Sequence, residues 1–221
     1  MYCPNLATGE LLIPPQEAHH AGDVLRLRSG DHVTLFNGRG REAAAIISDV
    51  SRKGMLAVVE SVAELEFELG IRLTLAVAMP RTQRQGFLVE KCTELGVAEI
   101  WPMVTDRSVV RPGTGVVEKL AHRAVKAAKQ SHRCFNPSVR EPKTASTVWL
   151  QGAKFQRSML AAIDPHAETL MESLRSLPNH PSVIICIGPE GGWTDEELVA
   201  AGSQGFTPVS LGPNILRTDT A

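Results

Sequence analysis

The chain has 221 residues, 43% of them hydrophobic, which is enough for one large domain or two modest ones with separate cores. A net charge of −1 excludes a tail that binds polyanions by bulk charge, while leaving room for a local basic face. The four cysteines (Cys3, Cys92, Cys134, Cys186) form no CxxC pair, and no signal-like N-terminus or membrane-length apolar run is present, so reduced thiols in a cytosolic protein are expected.

Residues 1–68 read as a small β-rich module. Gln16 to Arg26 is expected to form a short helix after Pro14 and Pro15. Ser29-Gly30-Asp31 turns the chain, His32 to Phe36 alternates as a strand, and Asn37-Gly38-Arg39-Gly40 is a hairpin signal. Glu42 to Val50 and Met55 to Val62 are two more strands, split by Ser51-Arg52-Lys53-Gly54. Several short strands with glycine turns suggest a small barrel. Glu64 to Gly70 reads as the connector to a second domain, 71–221.

Beyond it the rhythm changes to alternating strands and helices. Strands are expected at Ile71–Met79, Ala98–Val104, Ser158–Ile163, Val183–Ile187 and Thr207–Leu211. Helices are expected at Gln85–Leu95, Val116–Arg133, Ala167–Leu174 and Asp195–Ala201. That alternation predicts an α/β domain with a mostly parallel sheet covered by helices.

Two strand ends carry glycine turns. Ile187-Gly188-Pro189-Glu190-Gly191-Gly192-Trp193 follows the apolar run Ser182 to Ile187, and Thr194 with Glu197 forms a capping box that opens a helix. Leu211-Gly212-Pro213-Asn214-Ile215-Leu216-Arg217-Thr218-Asp219 follows the last strand. Their spacing fits adjacent strands joined by one crossover helix, with the two loops side by side at the carboxyl end of the sheet. Read alone, the turns are also consistent with tight corners that bind nothing. They lack a Gly-x-Gly-x-x-Gly run and the Lys-Ser/Thr end of a phosphate loop, which counts against dinucleotide and phosphate-loop readings.

These two segments resemble the paired C-terminal motifs of the bacterial 16S rRNA uridine N3-methyltransferase family, of the SPOUT class. The resemblance continues in order along the chain: His19-His20 with Val24-Leu25-Arg26 and Gly30-Asp31, then Glu90 to Val97, Asp106-Arg107-Ser108, and Ala127 to Arg133. It implies a PUA-like RNA-binding barrel followed by a trefoil-knotted methyltransferase domain. It also implies S-adenosylmethionine as cofactor, N3 of a uridine in 16S rRNA of the small subunit as substrate, and a homodimer. The cofactor residues it implies are Leu160, Ile187, Gly188, Glu190, Gly191, Gly192, Leu211, Gly212, Ile215, Leu216, Arg217 and Thr218. Uracil N3 carries a proton and must lose it, so Arg217 is the candidate for stabilising the developing anion. Glu190 is a second catalytic candidate, and Asp219 could orient Arg217.

RNA contacts are expected from Arg26, Arg28, Arg39, Arg81, Arg84, Arg107, Gln130 and Arg133. Arg111, Lys126 and Lys129 are further basic candidates; Lys126, Lys129 and Arg133 lie three and four residues apart on one helix face, a stripe equally consistent with a solvated surface. His19, His20, His122 and His132 show no ligand-like arrangement, so no metal is expected. In the family the last motif opens a C-terminal helix that closes the knot and joins the dimer interface. This sequence stops at Ala221, where that helix would begin, so its absence is expected. A knotted enzyme acting on tRNA or a ribose hydroxyl, and an RNA-binding assembly protein without catalysis, remain the alternatives.

Overall fold

The computed structural model describes every residue except Arg52, Lys53, Glu66–Glu68, Thr114, Pro165, Ser176 and His180. The expected turn at Arg52-Lys53 and the middle of the expected connector therefore lie outside the described residues. The chain forms two compact units, Met1–Phe67 with Val125–Asn136, and Glu68–Ala124 with Pro137–Ala221.

In the first unit β1 (Gly9–Leu12), β2 (His32–Phe36), β3 (Arg41–Ser51), β4 (Gly54–Val59) and β5 (Ala63–Glu64) form an antiparallel sheet. The order is β1-β4-β3-β2, with β5 also paired to β3. Strand alternation sends Ala43, Ala45 and Ile47 of β3 inward, where they pack with Leu35, Met55, Ala57, Val59, Cys3 and Ile13. A register shift between Ile47 and Asp49 interrupts the ladder, the kind of irregularity that bends a strand and curls a sheet. The helix expected at 16–26 is shorter: α1 (Pro15–His19) runs into a π-helical turn, His20–Val24. Arg26 then adopts a left-handed conformation, φ 57°, and the helical path ends.

Residues Val125–Asn136, which are the C-terminal part of the helix Val116–Gln130 and the residues after it, cluster with this first unit. Phe36, Ala128, Cys134 and Phe135 bury one another, with Tyr2 against them. Lys129 Nζ donates to both oxygens of Glu17 at 2.9 Å, and Tyr2 N donates to the same carboxylate at 3.2 Å. Gly40 sits under Phe135 with φ +88°, and a Cβ there would stand 2.3 Å from Cζ of the ring. Gly40→Ala is therefore expected to destabilise this unit by about 2–4 kcal/mol, combining strain and overpacking, as a lower midpoint in denaturant unfolding.

The second unit is built on β6 (Arg72–Ala78), β7 (Glu99–Val104), β8 (Ser138–Val139), β9 (Lys143–Thr144), β10 (Arg157–Ala161), β11 (Glu168–Thr169), β12 (Ser182–Ile187) and β13 (Thr207–Ser210). All described pairings are parallel, in the order β11-β13-β10-β12-β6-β7-β8, with β9 also on β7. The unit's helices are α2 (Thr82–Glu94), the part of α3 (Val116–Gln130) up to Ala124, α4 (Ala145–Trp149), α5 (Leu170–Arg175) and α6 (Asp195–Ser203). The unbroken apolar run of β12 reflects burial on both faces. Val183, Ile185 and Ile187 join a core with Leu88, Val89, Leu120 and Ala124 of α2 and α3. Ile184 and Cys186 join a second core with Val148, Trp149 and Ala201 of α4 and α6.

One expectation is corrected. β12 and β13, the two strands that end in Gly-Pro, are not neighbours, because β10 lies between them and pairs with both. Leu160 of β10 faces Cys186 on one side and Pro208 on the other. Sequential strands are adjacent only about two-thirds of the time, and here the crossover through α6 passes over a strand formed earlier in the chain.

At the opposite, amino end of the strands, Glu99 accepts hydrogen bonds from Arg140 Nε (2.8 Å), Arg72 Nη2 (2.9 Å) and Trp101 Nε1 (3.0 Å). Burial pushes its carboxyl up, but the Arg140, Trp101 and Arg72 donors outweigh burial and hold the pKa at about 2. A depressed carboxyl adds stability that is complete above its unfolded value, 4.5, and is lost as the pH falls toward about 2. With screening by the half-exposed arginines, Glu99→Gln is expected to remove about 2 kcal/mol at pH 7 and much less at pH 2, measured by urea unfolding at both pH values.

Candidate functional site

The carboxyl ends of β10, β12 and β13 open into one cavity of about 1060 Å³ in the second unit. That is the size of a small-molecule site, for which about 300–1,000 Å³ is usual. Its walls are the residues after β10 (Ala162 to Asp164), the glycine loop after β12 (Gly188 to Trp193) and the segment after β13 (Leu211 to Thr218). Leu160, Leu211, Ile215, Leu216 and Phe206 supply apolar surface, and Asp164 and Glu190 supply carboxylates.

Each wall has a local cause. Gly192 turns with φ +69° and Gly212 with φ +124°, conformations that L side chains rarely adopt. Gly188 lies on the indole of Trp193, where a Cβ would stand 2.9 Å from Cε2. Trp193 Nε1 in turn donates to Ala161 O at 2.8 Å, tying the glycine loop to the end of β10. The indole also meets Trp149, with centroids 5.6 Å apart. The expected capping box is present. Thr194 Oγ1 accepts from Glu197 N at 3.1 Å, and a Glu197 carboxylate oxygen accepts from Thr194 N at 3.0 Å. Thr218, 6% exposed, donates from Oγ1 to Gly188 O at 3.1 Å and so joins the third wall to the second.

The architecture matches known proteins over nearly the whole of this chain. A family profile described as RNA methyltransferase domain matches residues 67–221, and one described as RNA methyltransferase PUA domain matches residues 13–60. This chain belongs to the RNA methyltransferase family. A relative of this methyltransferase, the ribosomal RNA small subunit methyltransferase E of Synechocystis sp., is 32% identical over 206 residues, spanning 93% of this chain and 67% of its own. The crystal structure of a ribosomal RNA small subunit methyltransferase E from Neisseria gonorrhoeae bound to S-adenosylmethionine superposes with a TM-score of 0.87 at 28% identity, covering 100% of this chain and 91% of that one. A Legionella pneumophila methyltransferase in complex with S-adenosylmethionine gives 0.85 at 32% identity, covering 99% and 91%.

Of the cofactor residues expected from the sequence of this methyltransferase, Leu160, Ile187, Gly188, Glu190, Gly192, Leu211, Gly212, Ile215, Leu216 and Thr218 line the cavity. Gly191 and Arg217 do not line it; Gly191 packs on Arg107, and Arg217 is exposed on the segment beside Thr218. The Asp219 carboxylate bonds Arg84, not Arg217, and that guanidinium holds the Asp219 carboxyl below its usual range. Among the expected RNA contacts Arg26, Arg28, Arg39, Arg81, Arg84, Arg107 and Gln130 are exposed, whereas Arg133 is only 8% exposed. The basic stripe on α3 is thereby broken: Lys126 is exposed, Lys129 is held by Glu17, and Arg133 turns inward.

Sequence reasoning missed Asp164, Trp193 and Phe206 as lining residues. The end of β10 carries no Gly-Pro turn, so nothing local marks it. Asp164 does show a short-range signature, since its Oδ1 accepts from His166 N at 2.8 Å, the turn that aspartate favours. No cluster of His, Cys, Asp and Glu able to hold a metal ion is found among the described residues, and no helix among them is long and apolar enough to cross a membrane.

Proposed function

We propose that this chain methylates N3 of a uridine in 16S rRNA of the small ribosomal subunit, using S-adenosylmethionine, as a cytoplasmic homodimer. Residues 1–68 are its PUA-like RNA-binding domain and residues 71–221 its trefoil-knotted methyltransferase domain. The observation that carries the reading is the cavity at the ends of β10, β12 and β13, in a chain of the RNA methyltransferase family. The lining fits S-adenosylmethionine. Apolar side chains at Leu160, Leu211, Ile215 and Leu216 suit an adenine, and backbone opened by Gly188, Gly192 and Gly212 suits polar groups held at close range. The carboxylates of Asp164 and Glu190 suit a ligand that carries a sulfonium and an ammonium. The insertion of β13 between β10 and β11 brings a late segment back among earlier strands, a strand order a knotted path needs.

Bound S-adenosylmethionine supplies the methyl group on its sulfonium. The chain must do the rest: hold the uracil edge-on, disperse charge as N3 loses its proton, and keep water from the reacting atoms. Arg217 stabilises the charge that develops on the uracil, through two forked donors. Glu190 accepts or relays the proton, a role supported by its carboxylate lying on the cavity wall. Exposed Arg26, Arg28 and Arg39 in the first unit, and Arg81 in the second, grip phosphates.

The test is mass spectrometry of ribosomal RNA from cells lacking the gene and from complemented cells. Loss of 3-methyluridine from 16S rRNA, restored by the gene, is the expected result. An unchanged level would sink the reading, and loss of a different methylated nucleoside would correct the target atom.

A further inference from the structure

Arg107 and Arg84 are exposed cations in the loop after β7 and the first turn of α2, positions that suggest RNA contacts. Their donors are turned toward the protein itself. Arg107 Nη1 donates to Gly191 O at 2.9 Å and to Trp193 O at 3.0 Å, 84 and 86 residues away in sequence. Gly191 permits this approach, because a Cβ there would stand 3.2 Å from Arg107 Cβ. The same turn makes a second attachment. Asp106 N donates to Glu197 Oε1 at 3.0 Å, while Glu197 Oε2 accepts from Thr194 N and completes the cap of α6. The turn itself is stiffened by Ser108, whose Oγ accepts from Thr105 N at 2.9 Å. Arg84 acts on the other wall by bonding Asp219, whose side chain is 5% exposed and which directly follows the Thr218 tie to Gly188.

We propose that Arg107 and Arg84 are positioning residues that preset the two glycine-turn walls of the cavity, and that RNA is gripped by other cations. The carbonyls of Gly191 and Trp193 bracket Gly192, a lining residue, so the guanidinium fixes the part of the loop whose backbone faces the ligand. A lysine reproduces Arg107 only in part: a single nitrogen, Nη1, serves both carbonyls, but an ammonium on a flexible stem lacks the rigid guanidinium plane that aims that nitrogen. For the cofactor, the proposal rests on the cavity binding S-adenosylmethionine; for the brace, it does not.

The experiment therefore has a ligand-free arm and a ligand arm, on Arg107→Ala, Arg107→Lys and Arg84→Ala. In the ligand-free arm, hydrogen exchange of the 188–194 amides is expected to speed up at least about tenfold in Arg107→Ala, with the first unit unchanged. In the ligand arm, calorimetry is expected to show S-adenosylmethionine binding weakened about tenfold in Arg107→Ala and Arg84→Ala, and partly recovered in Arg107→Lys. Affinity for 16S rRNA, by filter binding, is expected to change less than about twofold, because a phosphate contact would give a uniform RNA loss that lysine largely rescues. Unchanged exchange overturns the brace. Normal cofactor affinity with a large RNA defect overturns the proposal and makes the arginines RNA contacts. Failure of the unsubstituted protein to bind S-adenosylmethionine overturns the reading of the cavity and the cofactor half of this proposal, while the exchange arm still decides the brace.

Discussion

Gly188→Val is expected to weaken S-adenosylmethionine binding at least about 100-fold, equivalent to about 2.7 kcal/mol. The first added atom, Cβ, meets the Trp193 indole at 2.9 Å, well inside contact distance. Relief requires moving the indole, which breaks its 2.8 Å bond to Ala161 O and disturbs the packing on Trp149. The two branch methyls add bulk at a residue that lines the cavity. Gly188 O also accepts from Thr218, so a displaced backbone pulls on the third wall. Calorimetry measures the affinity, and a melting curve checks that the variant is folded. Wild-type affinity in a folded Gly188→Val protein would place the ligand away from this loop.

Arg217→Ala is expected to lower kcat by about 10²–10³-fold, the scale of losing one preorganised donor to a developing anion, while S-adenosylmethionine affinity stays within about threefold. The separation follows from placement. Arg217 is exposed and does not line the cavity, yet it directly precedes Thr218, which does. Asp219 accepts its hydrogen bond from Arg84 and acts on Arg217 only through space. Arg217→Lys keeps the charge and is expected to recover only part of the rate, since the forked geometry is lost. Single-turnover methylation of 16S rRNA reads the step directly. A rate within about threefold of wild type in Arg217→Ala would remove this residue from the chemistry.

Much of this is legible in the sequence. The capping box at Thr194 and Glu197 depends on residues three apart, and it forms as read. The strand at Ser182–Ile187 depends on an unbroken apolar run, and burial on both faces explains that run. The glycine turns were legible as sharp corners, since glycine adopts the positive φ of Gly192 and Gly212 most readily, but the turns alone left open whether they bind a ligand. Each of these signals spans a few residues of one segment.

What local patterns could not encode was assembled over distance. The strand order, with β10 between the two Gly-Pro strands, depends on pairing across segments that the periodicity of each strand does not name. Arg84 and Asp219 lie 135 residues apart, and their pairing redirected both a proposed RNA contact and the proposed partner of Arg217. The α3 stripe failed for the same reason. Helical spacing sets which residues share a face, but what that face meets, here Glu17 and the Phe36–Phe135 cluster, belongs to the tertiary structure. Sequence alone thus determined most of the elements and their turns, because hydrophobic period, caps and glycine conformations are short-range physics, while the family followed from the resemblance of its motifs. Only the tertiary structure decided which strand ends share the cavity and which arginines are bound to protein, because those outcomes depend on contacts between groups far apart in the chain.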